Sequence, residues 1–465
     1  MKKEEHINLL EGRILNTLVA LAIPIMASSF LNTVYSITDM AWIGTLGSKA
    51  VAGVGVGGMF VWLSQGLSSL ARMGGQVNIA QSIGRENREE ASQYAKASIQ
   101  MIIGFAALYA TVCLVFAERL VGFFHIDDPE TTYCAVTYLR ITCGLIIFSY
   151  CTQVLTGIYT AQGDSKTPLK ANLIGLALNM IFDPILIRGI GPFPKLGTTG
   201  AAAATVGAQF VVMLVMVLAV MTKKDSENIL KNIRLYKLCE KSYYKKVFRI
   251  GVPTAIQGSL YCLISMVLAR MSAVFGAGAV AVQRLGGQIE SVSWNTSDGF
   301  ASAINAFSGQ NYGAGKWDRV KKGYWNCFWI TSAWGALITA FFVLFPRQLS
   351  EIFFFEEEVL QMSIHYLVIV GLSQAFMCVE IMTIGALSGL GQTKICSVIS
   401  VLLTGARIPL AYVLGRSSLG LDGIWVTFSS TSILKGIVFT ITYVVVTSKV
   451  LDRMKKEMGG SCCEK

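Results

Sequence analysis

The chain has 465 residues, with 39 Lys and Arg against 28 Asp and Glu, so its formal net charge is +11 at pH 7. Hydrophobic residues make up 53% of the sequence and charged residues only 14%, whereas soluble domains carry about 25% charged residues. This composition excludes a disordered chain, a coiled coil and a nucleic-acid-binding protein, and it disfavours an ordinary cytosolic enzyme. Many apolar blocks exceed the ~20 residues needed to cross a bilayer. The sequence therefore predicts a polytopic helical membrane protein.

Twelve helices are predicted in chain order, because only helices can cross lipid without leaving backbone groups unpaired when no alternating strand pattern is present. Their approximate bounds are 16–44, 51–80, 92–117, 132–161, 169–187, 200–222, 246–275, 279–308, 321–345, 359–388, 395–414 and 422–448. They divide the chain into an N-terminal six-helix lobe (1–222), a basic cytoplasmic linker (223–245), a C-terminal six-helix lobe (246–448) and a cytoplasmic tail (449–465). The predicted fold class is an all-α membrane protein with two six-helix lobes.

The distribution of positive charge predicts the orientation in the membrane. Most Lys and Arg residues lie at the termini or in even-numbered loops, above all between Lys223 and Arg249. The odd-numbered loops hold few of them, namely Lys49, Arg119, Arg188, Lys195, Arg347 and Arg416. Because positive charge favours cytoplasmic loops, we expect both termini to lie in the cytoplasm.

The two halves of the sequence repeat one another at a nearly constant offset. The matching pairs are Pro24 and Pro253, Gly47 and Gly276, Ala52 and Ala281, Gln81 and Gln310, Gly84 and Gly313, Gly157 and Gly385, Gly163 and Gly391, and Lys166 and Lys394. Six helices per repeat is an even number, so both halves enter the membrane in the same sense. Parallel repeats of this kind are typical of transporters, which place the substrate path between the halves.

Four prolines lie inside predicted membrane helices: Pro24, Pro184, Pro253 and Pro409. A proline lacks the N–H that would bond the carbonyl four residues earlier, so the helix bends and a hydrogen-bond acceptor is freed. For Pro184 the freed acceptor is the carbonyl of Met180. We predict helix hinges at all four positions, while the alternative is ordinary proline of the kind that membrane helices tolerate.

The first half carries two acidic residues at membrane depth. Asp39 ends a polar stripe on helix 1 that includes Tyr35, and Asn179 and Asp183 lie one turn apart on helix 5. Each aspartate lies five residues from the outer end of its helix, about 7.5 Å inside the boundary. Two carboxylates at one depth, with an amide and a freed carbonyl, predict a site for a proton or a small cation such as Na⁺. The alternative is an interfacial cap or a pair with Arg188.

The second half carries different charged residues. Asp298 lies in predicted helix 8 and Glu380 in helix 10, and Arg407 is the nearest candidate counter-charge. Charged residues inside a membrane are costly and are usually functional, although an internal ion pair is the alternative for these three. Lys435 lies nearer the middle of predicted helix 12, and the sequence assigns it no role.

The sequence contains no motif typical of an enzyme active site. The three histidines, His6, His125 and His365, lack metal-ligand spacing, and no phosphate-binding loop is present. We therefore expect a protein that is not an enzyme and that needs no cofactor or structural metal. The opposing hypothesis, a membrane-embedded enzyme or a receptor, would need a convergent His, Ser or Cys constellation, which the sequence does not offer.

Four segments carry a resemblance to a known family: "TDMAWIGTLG" (38–47), "AQGDSKTPLKANLIGLALNMIFDPILI" (161–187), "SGQNYGAG" (308–315) and "GALSGLGQTK" (385–394). Together and in this order they resemble the multidrug and toxic compound extrusion (MATE) family, in its bacterial DinF- and NorM-like branch, over about residues 12 to 450.

The resemblance implies a monomer with two six-helix lobes that form an open V, and export of organic, often cationic, compounds against H⁺ or Na⁺ entry. It places Asp39, Asn179 and Asp183 at the coupling site, with Tyr138 as an aromatic neighbour. Other branches carry a glutamate on helix 7 where this sequence has Gln257. That departure argues against a complete cation site in the second lobe.

With this resemblance, the sequence predicts a cation-coupled (H⁺ or Na⁺) antiporter that exports organic, often cationic, drugs and toxic compounds across the bacterial cytoplasmic (inner) membrane. The alternative on the same scaffold is a flippase for a lipid-linked or amphiphilic substrate, which a basic groove between the lobes would favour. The substrate and the choice between H⁺ and Na⁺ stay open, because a polyspecific cavity has ordinary apolar lining and both ions accept the same oxygen ligands.

Overall fold

The structure, a computed structural model, describes residues 7–124, 128–192, 194–222, 229–231, 233–354 and 356–460. Within these ranges every regular element is an α-helix. The helices are α1 (Ile14–Gly44), α2 (Ser48–Gly84), α3 (Arg88–Gly122), α4 (Pro129–Gly144), α5 (Ile147–Ala161), α6 (Lys166–Arg188), α7 (Thr198–Thr222), α8 (Lys241–Ala273), α9 (Ala277–Gly313), α10 (Trp317–Leu344), α11 (Pro346–Glu351), α12 (Glu357–Gly371), α13 (Gln374–Gly389), α14 (Thr393–Gly405), α15 (Arg407–Gly415) and α16 (Gly420–Gly460).

Nine spans in the described part of the chain are long and apolar enough to cross a membrane, and two bent helix pairs raise the number to as many as eleven. The bent pairs are α4 with α5, at 45°, and α12 with α13, at 50°. The predicted eighth span corresponds to α9, a longer and more polar helix that carries Arg284, Glu290 and Asp298. Each of the twelve predicted spans overlaps a helix or a broken helix, and the all-α membrane fold is confirmed.

Three predicted spans, the fourth, tenth and eleventh, are interrupted in the structure, each directly after a glycine. These glycines are Gly144, Gly371 and Gly405, the last residues of α4, α12 and α14. Glycine weakens a helix interior by about 1 kcal/mol relative to alanine. At Gly144 and Gly371 it also allows close packing, because an added Cβ would lie 3.1 Å from Leu114 and 2.9 Å from Phe342. The fourth and tenth predicted spans are therefore bent pairs of helices rather than single helices, whereas the eleventh, Thr393–Gly415, still forms one candidate span across its break at Ala406.

The described helices form two compact units whose boundaries fall inside helices. The first unit contains Ile23–Gly258, and the second contains Asn8–Ala22 and the chain from Ser259 onward. The first turns of α1 thus belong to the second unit, and the first turns of α8 belong to the first. The lobes predicted from span order, 1–222 and 246–448, follow the repeats instead. The two divisions differ because the segment that leads each repeat packs with the helices of the other.

The first unit joins α2 and α8 through a close helix contact. A Cβ placed on Gly251 would lie 2.0 Å from the carbonyl oxygen of Leu70, and one on Gly74 would lie 2.3 Å from the carbonyl oxygen of Val247. Small residues at helix interfaces let backbones approach in this way. The contact holds the start of α8 against the core of the first unit, in which Val247 is fully buried.

The second unit holds the N-terminal segment (Asn8–Arg13) against the end of α9 and the start of α10. The Asn311 side-chain amide donates a hydrogen bond to the carbonyl oxygen of Leu9 at 3.0 Å. The Arg319 guanidinium donates to the carbonyl oxygens of Leu9, Glu11 and Gly12 at 3.0–3.4 Å. Leu9 itself is only 1% exposed. These bonds fix the position from which α1 begins.

Candidate functional site

Two acidic residues of the first unit, on α1 and α6, are buried. Asp39 exposes 7% of its surface, and Asn179 and Asp183 are fully buried. The Asn179 Nδ2 donates a hydrogen bond to the Asp183 Oδ1 at 2.9 Å, as their spacing of one helical turn allows. Arg188, the counter-charge considered as an alternative, is exposed, and its guanidinium lies 5.0 Å from the ring centre of Trp42.

The structure brings the predicted aromatic residues to the same place. The Asp39 and Asp183 carboxyl groups lie near enough to interact electrostatically with each other and with the hydroxyls of Tyr35 and Tyr138. Both tyrosine hydroxyls also lie near Thr205 of α7. The structure therefore brings the five predicted residues together within the first unit: Tyr35, Asp39, Tyr138, Asn179 and Asp183.

Apolar side chains close one side of this site. Ile43 follows Asp39 by one turn on α1, and Ile187 follows Asp183 by one turn on α6, and both are fully buried. They pack with Tyr138 and with small residues of α7 in one apolar cluster. The site is thus separated from the end of the helices by hydrophobic packing, which lowers the local dielectric around the carboxyl groups.

Several buried oxygens of the site have no hydrogen-bond partner among the described residues. They are Asp39 Oδ1, Asn179 Oδ1 and Asp183 Oδ2. Buried polar atoms are normally paired, so a group of unpaired ones needs an explanation such as a bound ion or water. Oxygen atoms are the ligands that hard cations prefer. The described residues offer no cluster of three or more His, Cys, Asp or Glu, so a cation here would depend on amide and hydroxyl oxygens beside the two carboxylates.

The four prolines occupy different positions in their helices. Pro24 and Pro253 lie inside the continuous helices α1 and α8, close to the places where the unit boundaries cross them. Pro184 lies inside α6, next to Asp183. Pro409, in contrast, lies in the first turn of α15, just after the break at Ala406. A proline needs no N–H partner in a first turn, and the helix is interrupted three residues before Pro409; a hinge at this position stays a prediction.

The charged residues of the second unit form pairs other than those predicted. The Lys435 Nζ lies 2.9 Å from the Glu380 Oε1, and both side chains are buried. Arg407 was the predicted counter-charge of Glu380, but its guanidinium donates to Thr431 and Ser432 on α16. The expectation of an internal ion pair therefore holds for Glu380 with a different partner.

Two other predicted candidates, Asp298 and Gln257, lie on different helices and in different units. Asp298 is exposed on α9, and Gln257 is half-buried on the part of α8 that belongs to the first unit. Within the second unit, Glu380 pairs with Lys435 and Arg407 binds Thr431 and Ser432. The predicted pairing of Asp298, Glu380 and Arg407 with one another is therefore not what the described residues of this unit show.

Sequence reasoning missed Thr205 and Glu290. The Tyr366 hydroxyl donates a hydrogen bond to the Glu290 carboxylate, and Gln374 Nε2 lies 3.4 Å from its other oxygen. Glu290 could have been found, because it is an acid in the middle of a predicted span. Thr205 gave no signal, because hydroxyls are common in membrane helices.

A bundle of membrane helices built from two sequence repeats, with buried carboxylates in both, is typical of the class of secondary transporters. Comparison with known proteins identifies the family. The family described as MatE matches residues 24–185 and 253–413, one match in each repeat, and the chain belongs to this family.

Curated relatives match over most of their length. The chain is 30% identical over 413 residues to the probable multidrug resistance protein NorM of Thermotoga maritima, which covers 88% of both chains. It is 25% identical over 414 residues to the probable multidrug resistance protein YoeA of Bacillus subtilis, covering 87% of this chain and 88% of that one.

Solved structures match the fold. One is described as the outward-facing conformation of a multidrug resistance MATE family transporter, with a TM-score of 0.89 over 97% of this chain and 100% of that one at 22% identity. The resemblance predicted from the sequence is thereby confirmed, as is the two-repeat fold. Members of this family are transporters, so the enzyme and receptor hypotheses are excluded.

Proposed function

We propose that this protein is a cation-coupled antiporter that exports organic, often cationic, drugs and toxic compounds. In this proposal it works as a monomer in the bacterial cytoplasmic membrane, with both termini in the cytoplasm. The single observation that carries the coupling assignment is the buried acid pair, Asp39 and Asp183, with its unpaired oxygens. The names of the curated relatives support the substrate class.

The coupling ion, H⁺ or Na⁺, binds at Asp39, Asn179 and Asp183 from the outer side. Two carboxylates near each other in a poorly solvated site repel, so binding a positive ion relieves both the repulsion and the cost of burial. Ion binding bends α1 at Pro24 and expels the substrate. One charge that moves through 100 mV supplies about 2.3 kcal/mol, enough for roughly a 50-fold gradient of a neutral compound.

Transport by membrane vesicles tests this assignment. Export of a fluorescent organic cation is measured under an imposed pH gradient and, separately, under an imposed Na⁺ gradient. We expect one gradient to drive export in the wild type, and Asp39→Asn and Asp183→Asn to abolish that response at normal expression. Each substitution removes a negative charge but keeps the side-chain shape.

Glu118→Gln is the matched control, because Glu118 is an exposed acid that pairs with Arg140 away from the site. Its export should equal that of the wild type. Ion-driven export that persists at the wild-type rate in both aspartate variants would show that the coupling site lies elsewhere. Movement of fluorescent lipid in reconstituted vesicles, without export of the organic cation, would instead favour the flippase alternative.

A further inference from the structure

A buried ion pair lies in the second unit between α13 and α16. The Lys435 Nζ is 2.9 Å from the Glu380 Oε1, and the side chains expose 5% and 9% of their surface. Both residues lie within predicted membrane spans, where an unpaired charge is costly. Because the two charges pair with each other, neither is left unpaired in the membrane. Removal of either partner would leave the other charge buried alone.

The nearest other cation, Arg407, is engaged elsewhere. Its Nε donates to the Thr431 hydroxyl at 2.8 Å and its Nη2 to the Ser432 hydroxyl at 2.9 Å. Its guanidinium also lies 5.2 Å from the ring centre of Phe428, a distance suited to a cation–π contact. Thr431 and Ser432 lie about one helical turn before Lys435 on α16, so these contacts hold the Arg407 guanidinium of α15 at that turn. Arg407 therefore does not replace Lys435 as the partner of Glu380.

The other carboxylate of this region is also held. Glu290 on α9 accepts hydrogen bonds from Tyr366 on α12 and Gln374 on α13. The Tyr261 hydroxyl of α8 lies near enough to interact electrostatically with both Glu290 and Glu380. Glu290 therefore accepts hydrogen bonds from neutral donors, with the Arg407 guanidinium near enough to interact electrostatically, whereas Glu380 is paired directly with the Lys435 ammonium.

The charge on Lys435 has the properties of a small monovalent cation. An ammonium group is a compact point charge with three hydrogen-bond donors, and its charge equals that of H⁺ or Na⁺. The first repeat has no such pair, because Thr152 occupies the position that aligns with Glu380 through the match of Gly157 with Gly385. The two repeats thus differ in how their buried carboxylates are neutralised.

We propose that the Lys435 ammonium is a tethered cation that fills the carboxylate site of Glu380, and that the chain without this ammonium binds a proton or a free monovalent cation there. Lys435 therefore determines that the second unit has no vacant ion site at Glu380. The corollary that the coupling ion enters only the first unit rests on the function proposed above, whereas the occupancy of Glu380 does not.

The test uses the purified full-length protein in detergent, with binding rather than transport as the readout. Thermal unfolding is followed while NaCl or LiCl replaces choline chloride at constant ionic strength. Infrared spectra record protonated carboxyl groups as the pH is lowered. Lys435→Met is made in a chain that also carries Asp39→Asn and Asp183→Asn. Because the first unit's two carboxylates are then absent, an effect of the ion on unfolding arises from the second unit, whether or not the first unit couples transport.

We expect Lys435→Met to gain a rise of a few degrees in the unfolding temperature with Na⁺ or Li⁺, or a protonated-carboxyl band, because an ion that binds only the folded state stabilises it. Both signals should be lost when Glu380→Gln is added, and Lys435→Arg should show neither. Absence of both signals in folded Lys435→Met overturns the proposal.

The double variant Lys435→Met/Glu380→Gln covers the case in which Lys435→Met does not fold. Neutral replacement of a whole buried pair is generally tolerated. With Asp39 and Asp183 intact, this variant should keep the same ion titration as the wild type. If the ion raises the unfolding temperature of this variant less than that of the wild type, Glu380 binds a free ion in the wild type, and the proposal is wrong.

Discussion

At the scale of single residues, spacing along one helix is the strongest signal that the sequence offers. The contact between Asn179 and Asp183 could be predicted, because residues one turn apart on a helix are neighbours whatever the rest of the fold. The contact between Lys435 and Glu380 could not. These residues lie on different helices, and nothing in the sequence fixes which faces of two helices meet.

Asn179 gives a prediction at this scale. Asn179→Leu removes the amide that donates to Asp183 at 2.9 Å, and with it one oxygen of the site. We expect weaker ion binding, seen as an increase of the ion concentration for half-maximal export. Asn179→Gln keeps the amide group but displaces it by one methylene. Its ion concentration for half-maximal export should lie between those of the wild type and the leucine variant. Unchanged ion dependence in Asn179→Leu would exclude this residue from the site.

The glycines between α2 and α8 give a second prediction. Gly251→Val should destabilise the protein by about 1–3 kcal/mol, the usual cost of overpacking, because its Cβ would meet the Leu70 carbonyl. Thermal unfolding in detergent measures the effect. The control is Gly258→Ala on the same helix, where the nearest atom is 4.0 Å from the added Cβ. The control should be neutral or slightly stabilising, and equal stability of both variants would contradict the close approach.

At the scale of helices and segments, the N-terminal segment depends on Arg319. Arg319→Gln removes the guanidinium that donates to three carbonyl oxygens of this segment. We expect a lower unfolding temperature and faster proteolysis near Leu9. Lys322→Gln, on the exposed side of the same helix, serves as the control for the loss of one positive charge. Wild-type proteolysis in Arg319→Gln would show that other contacts hold the segment.

The start of α4 gives a prediction about pH. The Asp128 side chain accepts hydrogen bonds from Lys49 at 2.9 Å and from the Thr131 backbone N–H at 2.8 Å. The bond from Lys49 is the main reason that the pKa of Asp128 is lowered to about 2. A lowered pKa stabilises the folded state above the unfolded pKa of about 3.9, and this contribution is lost as the pH falls through about 2.

Asp128→Asn isolates this charge, because asparagine keeps the capping hydrogen bond. The wild type should be the more stable protein at neutral pH, by an amount that stays constant down to about pH 5 and vanishes between about pH 4 and 2. Thermal unfolding as a function of pH measures the difference. A difference that does not change with pH in that interval would exclude the ion pair as its cause.

Helix breaks show where sequence reasoning ends at this scale. Hydropathy finds the apolar length of a span but does not report bends within it, so α4 with α5 and α12 with α13 were predicted as single helices. Each break follows a glycine at a close helix contact, Gly144 or Gly371. Glycine is too common in membrane helices, with 45 in this chain, to mark a break by itself.

At the scale of the whole molecule, charge distribution predicts the orientation. Lys195 and Lys237 are both exposed, and each is replaced by cysteine in a separate variant. The two variants should differ in labelling by a membrane-impermeant maleimide that is added to cells whose outer envelope has been permeabilised. Lys195→Cys should react from outside, whereas Lys237→Cys should react only after the membrane is opened. The unsubstituted chain gives the background from its native cysteines. The reverse pattern would invert the proposed topology.

The internal repeat could also be predicted at this scale, because it is visible as aligned prolines and glycines, and the MatE family matches the chain once in each repeat. The division into compact units could not. It depends on which helices the first turns of α1 and α8 pack against, and those contacts join residues far apart in sequence, such as Gly74 with Val247. Span order along the chain carries no information about such pairings.

The placement of the unit boundaries inside α1 and α8 bears on how such a chain arose. Residues 8–22 belong to the unit built from the second repeat, and residues 241–258 belong to the unit built from the first. Two copies of an ancestor with a single repeat would have exchanged their first helix segments, as domain-swapped dimers do. In this chain the two repeats are joined, so both exchanged segments lie within one polypeptide. A chain cut between Thr222 and Lys241 would consequently give two fragments, neither of which contains all the residues of a unit.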